Sequence, residues 1–516
     1  MTAAKGVLFH MAYFDLLARE HAAGRIPDNV FSDIGMGDVL AKYLGEKAAS
    51  NILAVMRQPL AAAGIKLRQE VFLDLEKPEV LEYLSALKLM LQDLENRYNT
   101  YHYQRHPFYK ATAFLSLAEQ YFAFVETACS GLPETVTAGL LRDFSSSFAA
   151  VKASLEYLRF KADGEKLRQA LRSIGSVHVD IQTPDGVPVS ATLSREQQPH
   201  LADQLLAIAE KYSPGRRLRR SSGHRELSLN FITGLSQLYP ELFQSLEAFH
   251  EQYQGFMDSS FFAYRNQLAF YLDLKAFYTA LADSGIPLCM PKISTAKRTI
   301  VRDAYDITLL LKSTSSIVPN DIELDADHGF FLLTGANSGG KTAYLRAVAV
   351  CHILFSTGGW VPAADGQIYP FRQIFAQFPA DESTITSGRL DDEQRKIGDI
   401  LANTDEHTLV LLNETFSSTG EELSLELCRG LVTELCAAGA YGVFVTHHHK
   451  LAEQVQSDAG KTRIGFLTAE VLDDPARTRT YKIRQQRAAA QSYARTILQK
   501  YGLTRSQLAK RLLEVK

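Results

Sequence analysis

Along the first third of the chain, apolar residues recur at steps of three and four, the spacing of one face of an α-helix. Residues 78–99 (PEVLEYLSALKLMLQDLENRYN) keep that period. Pro78 suits a first helical turn, where its missing N–H would have no partner anyway. Residues 1–172 read as helix after helix, a bundle whose pattern carries no chemistry of its own. The period then changes. Val177, Val179 and Ile181 alternate with polar residues, Pro184-Asp185-Gly186 follows, and Val187, Val189, Ala191 and Leu193 alternate again. This predicts a β-hairpin around an Asp-Gly turn, projecting from between long helices. Helical periodicity resumes from Leu227 to Ala282 and ends at Gly285-Ile286-Pro287. From about Ser294, short apolar runs (329–334, 408–412, 442–446) alternate with helical stretches, as in a parallel sheet covered by helices. Residues 492–516 read as helical, with a break at Gly502-Leu503-Thr504.

Composition changes this picture at few points. A chain of 516 residues is too long for one core. With 46% hydrophobic and 22% charged residues it has no compositional sign of large-scale disorder. The net charge of -3 means that any nucleic-acid contact must come from a local patch. The most basic stretch holds Lys211, Arg216, Arg217, Arg219, Arg220 and Arg225, interleaved with Ser, Pro and Gly. Such a loop can neutralise phosphates; the plain alternative is a solvated surface loop. Cys129, Cys289, Cys351, Cys428 and Cys436 are scattered without a CxxC pair. That argues against a disulfide framework or a zinc site and fits a reducing cytoplasm. No uncharged apolar run nears the roughly 20 residues of a bilayer span, and the start lacks a signal-peptide core. A cytoplasmic protein without membrane contact is expected.

The chemistry concentrates in the last third. Phe330-Phe331-Leu332-Leu333-Thr334 is a buried-strand pattern that runs into Gly335-Ala336-Asn337-Ser338-Gly339-Gly340-Lys341-Thr342, and a helical stretch follows. This is a complete GxxxxGK[ST] loop between a strand and a helix. Its glycines let backbone N–H groups converge on phosphate oxygens, and the helix N-terminus adds a favourable dipole. Lys341 would meet the β- and γ-phosphates of ATP, and the Thr342 hydroxyl would ligate Mg²⁺. A second buried strand, 408–412, ends in Asn413-Glu414. Glu414 is the candidate general base. Asn413, where Asp is usual, offers an oxygen to the metal's water shell but no charge. A third strand ends in Thr446-His447-His448-His449. Neighbouring side chains on an extended chain face opposite ways, so a shared metal is not expected. His447 is the one expected to reach the γ-phosphate or the attacking water.

In order, these segments resemble the MutS family of DNA mismatch-repair ATPases. Val318-Pro319-Asn320-Asp321-Ile322 is similar to the family's V-P-N-D-I, and GANSGGKTAYLR at 335–346 resembles GPNMGGKSTYLR, with Ala336 and Ser338 replacing Pro and Met. Val361-Pro362-Ala363 falls on V-P-A, and the segment from Asn413 to Thr419 falls on D-E-x-G-R-G-T. THHHKL at 446–451 resembles T-H-Y-H-E-L, and Tyr481-Lys482-Ile483-Arg484 resembles the strand that closes the ATPase domain. Weaker echoes lie upstream, in Arg68-Gln69-Glu70-Val71, Asp93-Leu94-Glu95, Leu272-Asp273 and Pro291.

The resemblance implies an α + α/β fold: a long helical core and lever region, a small β-containing clamp-like insertion, then an ABC-type P-loop NTPase domain. Its sheet would be mainly parallel and covered by helices. The expected boundaries are a helical core at 1–172, a clamp-like insertion at 173–226 and lever helices at 227–292. The ATPase domain would span 293–491, and a helical dimerisation segment 492–516. Neither a β-rich mismatch-reading domain ahead of the ATPase nor an endonuclease-like tail is expected; Phe124-Val125-Glu126 fits the family's F-x-E wedge in letters only, within a helical pattern. Ser387 or Gly388 would act in trans on a partner's γ-phosphate.

The expected function is an ATP-driven DNA-binding clamp, a homodimer with composite ATP sites whose turnover Asn413 would slow, with repair or recombination proteins as partners. The alternative is a nucleotide-binding structural or regulatory switch that scarcely hydrolyses ATP and grips protein or RNA. A P-loop metabolite kinase would need an acceptor lid, which the long helical region ahead of the loop does not supply.

Overall fold

The computed structural model describes residues 14–172, 178–182, 190–194, 236–312, 317–325, 327–379, 389–416, 419–448, 451, 454–455, 464–472 and 478–485. The helices before the hairpin are α1 (Asp28–Asp33), α2 (Met36–Leu44), α3 (Glu46–Met56), α4 (Ala62–Asp74), α5 (Pro78–Tyr103), α6 (Pro107–Ser130), α7 (Gly139–Ala153) and α8 (Leu155–Arg172). Strands β1 (His178–Gln182) and β2 (Ser190–Ser194) are followed by α9 (Pro240–Tyr253) and α10 (Ala263–Asp283). Then come β3 (Lys292–Ile293), β4 (Thr299–Ala304), β5 (Asn320–Leu324), β6 (Phe330–Thr334), α11 (Lys341–Ser356), β7 (Asp365–Ile368) and β8 (Gln373–Gln377). The remaining elements are α12 (Arg389–Ala402), β9 (Thr408–Asn413), α13 (Glu421–Ala437), β10 (Tyr441–Val445), β11 (Ile464–Val471) and β12 (Arg479–Gln485). None of the described helices is long and apolar enough to cross a membrane.

The chain forms two compact units. One comprises Met1–Phe14, Glu82–Glu134 and Arg142–Arg265, the other Asp15–Leu81, Thr135–Leu141 and Asn266–Lys516. The first is helical, with an aromatic core. Phe160 packs on Phe122 at 4.7 Å and on Phe249 at 5.6 Å, and Phe124 packs edge-on against Phe148 at 5.3 Å. Phe124 is fully buried inside α6, and Glu126 pairs with Lys152 and Lys161. These lysines hold the Glu126 carboxyl below its ordinary range. The F-x-E letters therefore serve the helical core. Strands β1 and β2 pair antiparallel, with Val179 opposite Leu193 and Ile181 opposite Ala191, the alternation read from the sequence. The Asp-Gly turn, the basic stretch from Lys211 to Arg225, and residues 492–516 lie outside the described residues. The helical run expected over 227–282 is interrupted. Helix α9 stops at Tyr253 and a short 3-10 turn, Ser259–Phe262, precedes α10, capped by the Asp258 side chain accepting the Ser260 N–H.

The second unit contains two sheets. Six strands lie in the order β12-β11-β6-β10-β9-β8, all parallel except β12, which runs antiparallel to β11. Every residue of β6, β9 and β10 is buried, as a sheet covered on both faces requires. On one face Phe330, Leu332, Val410 and Leu412 pack with Leu431 and Leu435 of α13. A second sheet, β3-β7-β4-β5, was not legible in the sequence. Its strands β3 and β7 have two and four residues, too few to set a period.

Helix α11 is buried nearly all round, from Tyr344 and Leu345 through 347–356. The fully buried Arg68 ties down its far end. The guanidinium donates to the carbonyl of Thr357, the C-cap of α11, at 3.3 Å and to that of Leu17 at 2.6 and 2.8 Å. A cation at a helix C-terminus meets the favourable end of the dipole, while burial lowers the arginine's pKa.

Candidate nucleotide site

In an open parallel sheet, ligands gather where the strands end, because there the loops turn from strand to helix. Val445 at the end of β10 pairs with Leu333 of β6 on one side and Asn413 of β9 on the other. The three sequence-predicted segments, 334–342, 413–414 and 446–447, therefore leave the sheet at one edge.

The 335–342 loop turns tightly into α11. Gly335 has φ 129, and a Cβ there would meet Ala469 Cβ at 2.9 Å. Gly340, the N-cap of α11, has φ 92, and Ser338 also sits at positive φ, 59. Only glycine adopts the first two conformations without strain. Asn337 and Ser338 are exposed, and Thr342 is half-buried. Lys341 is 5% exposed and folds back on the loop, donating to the Gly335 carbonyl at 2.9 Å and the Ala336 carbonyl at 3.1 Å. Burial lowers its pKa, opposed by the charge of Glu414. Lys341 and Glu414 therefore lie close enough for their charges to interact.

Asn413 is buried, and among the described residues its Oδ1 has no hydrogen-bond donor. Buried polar atoms are nearly always paired, so this acceptor fits a missing partner such as a metal's water shell. Glu414 follows at φ 50, its N–H donating to the Val445 carbonyl at 2.9 Å. Its side chain is half-buried. His447 is exposed, with its ring 4.5 Å from that of His448. His448 is turned away to Ser424 of α13, Nε2 to Oγ 2.8 Å. Ser387, Gly388 and His449 lie outside the described residues.

Two residues near Glu414 were missed by the sequence reading. Thr415 Oγ1 donates to Gln377 Oε1 at 2.5 Å, and the Phe416 N–H donates to Glu393 Oε2 at 3.1 Å. Gln377 ends an apolar strand run much as Asn413 does, which was a usable signal. Glu393 lies on α12 among Asp391, Asp392 and other polar residues, with nothing in the sequence to single it out.

Comparison with known families finds a match over the part of the chain that holds these residues. Residues 331–511 match the model of MutS domain V. Over these residues the chain is similar to the MutS family. Over 170 residues it is 32% identical to a protein named endonuclease MutS2 from Geobacillus sp. (strain WCH70). Over 169 residues it is 34% identical to endonuclease MutS2 from Geobacillus thermodenitrificans. Over 171 residues it is 30% identical to the DNA mismatch repair protein MutS of Lactobacillus johnsonii. Each match takes in 32% of this chain and 20 or 21% of the relative. The chain thus spans about a fifth of the length of the curated relatives it matches.

Proposed function

We propose that this chain is a MutS-like ATPase, which binds and hydrolyses ATP with Mg²⁺ and couples that cycle to gripping DNA as a homodimer. The observation that carries the ATPase reading is the shared strand-end edge, where the 335–342 loop, Lys341, Asn413 and Glu414 meet. The loop from Gly335 to Thr342 supplies backbone N–H groups and the α11 dipole to the phosphates. Lys341 would exchange its two loop carbonyls for phosphate oxygens. Thr342 and Asn413 would hold the cation through its hydroxyl and its unpaired Oδ1. When bound, Mg²⁺ offsets the charge on the phosphate oxygens. Glu414 accepts the proton of the attacking water, and His447, exposed beside it in sequence order on the next strand end, is the group expected to meet the γ-phosphate. The names of the relatives, a DNA mismatch repair protein and an endonuclease, support DNA as the macromolecular partner. The basic stretch from Lys211 to Arg225 is the proposed contact, and Ser387 or Gly388 the proposed trans-acting group.

Asn413 favours a second reading, a switch that binds ATP and turns it over little, because an amide brings no charge to the metal. Magnesium-dependent ATP turnover, measured beside Lys341→Ala and Glu414→Gln, decides between them. Turnover lost in both variants supports the ATPase; tight ATP binding with no turnover in the unaltered protein moves the reading to the switch.

A further inference from the structure

The turn that carries Glu414 is held in an unfavourable conformation. Glu414 (φ 50) and Phe416 (φ 60) both lie in the left-handed region. For a residue with a Cβ this costs about 1–2 kcal/mol, and it persists only where the surroundings over-determine it. Four contacts do so. The Glu414 N–H donates to the Val445 carbonyl at 2.9 Å, and the Thr415 hydroxyl donates to Gln377 at 2.5 Å. The Cys428 thiol donates to the Thr415 carbonyl at 3.6 Å. The fourth contact comes from α12, where Glu393, only 6% exposed, accepts the Phe416 N–H at 3.1 Å. Burying a carboxyl group is costly unless it is hydrogen-bonded, so a site that keeps one has a use for its acceptor.

We infer that Glu393 is a positioning residue for Glu414. By fixing the N–H two residues beyond, it closes the 414–416 turn and aims the Glu414 carboxylate at the end of β9. The inference rests on Glu414 being the base. Through Glu393, helix α12 bears on catalysis, and displacing that contact alters turnover rather than affinity.

The test compares Glu393→Ala, Glu393→Asp and Glu393→Gln for steady-state ATP turnover and for affinity toward a fluorescent ATP analogue, with Glu414→Gln as reference. Misplacing a catalytic group by about 1 Å costs on the order of 10²-fold in rate. Glu393→Ala is expected to lose about that much kcat while analogue affinity stays within about twofold. Glu393→Gln, whose amide oxygen still accepts the N–H, keeps most turnover. Glu393→Asp, shorter by one methylene, falls between, and this pair carries the test should the alanine variant fail to fold. In a Glu414→Gln background, Glu393→Ala adds no further loss, since there is no base left to aim. Equal losses of affinity and kcat, additive losses in the double variant, or unchanged kcat in both the Ala and Asp variants would overturn the inference. If Glu414→Gln itself turns over like the unaltered protein, or the unaltered protein has no turnover, the base assignment falls and takes this inference with it. Turnover that depends on Glu414 and not on Glu393 overturns the positioning role alone.

Discussion

Asp33, at the last position of α1, offers a prediction whose sign and size both follow from the structure. Its Oδ2 accepts the N–H of Phe378, just past β8, at 3.3 Å. Burial pushes its carboxyl up to about 6 from an ordinary 3.8, outweighing that hydrogen bond, the charge of Lys396 and the Asn29 side chain. Each pH unit of displacement corresponds to ~1.36 kcal/mol. The folded state binds this proton more tightly than the unfolded chain, so the ionised group destabilises the fold above pH 6. The penalty is relieved as pH falls through 6 and is gone below 3.8. The full displacement is worth about 3 kcal/mol, and some solvent access to this half-buried side chain reduces it to about 1–3 kcal/mol. Asparagine keeps an acceptor for the Phe378 N–H and removes the ionisation. In paired urea melts, Asp33→Asn is expected to be more stable than the unaltered protein at pH 7.5 by that amount. At pH 5 the gain should fall to roughly half, because the unfolded carboxyl is still ionised there, and near pH 3.8 it should nearly vanish. The same gain at all three pH values, or a loss at pH 7.5, would refute the burial argument.

Other outcomes can be checked alongside. Lys341→Ala removes the loop's cation and should weaken ATP binding about 10–100-fold, the worth of a charge-assisted contact, by titration with a fluorescent analogue. Asp74, 1% exposed, accepts the N–H groups of Thr137 and Ala138 at 2.8 and 2.7 Å and pairs with Lys77 at 2.6 Å. Burial alone would raise its pKa, but these donors hold it below the ordinary value, so its contribution is lost only in strong acid. Asp74→Ala should cost about 2–4 kcal/mol in denaturant melts at pH 7, because buried donors lose their acceptor. Replacing Arg216, Arg217, Arg219 and Arg220 by Glu should abolish DNA binding in a mobility-shift assay and leave ATP affinity intact; unchanged DNA affinity would remove this stretch from the proposed interface.

The elements with a long, single period were legible. Phe330–Thr334, Thr408–Asn413 and Tyr441–Val445 are buried on both faces and read as unbroken apolar runs, and Pro78 starts its helix as expected. The loop at 335–342 was legible as a glycine-rich turn from strand to helix, where Gly335 and Gly340 hold positive φ. Glu393 and Gln377 were hidden for a physical reason. They act through tertiary contacts 23 and 38 residues away in sequence, which no local pattern encodes. The second sheet was hidden because its short strands pair across long separations, as β4 does with β7 at Ile300 and Gln367. The break between α9 and α10 was missed because the apolar residues Phe261 and Phe262 continue a helical count through a 3-10 turn.

ATP turnover at the 335–342, Asn413 and Glu414 site is proposed to be coupled to DNA. The direct measurement is the steady-state ATP hydrolysis rate of the full chain without DNA and with duplex, branched or single-stranded DNA, beside Glu414→Ala. The expected result is a rate that at least one DNA form changes and that the variant loses in every condition. A rate indifferent to every DNA form, or one that survives in Glu414→Ala, would contradict it.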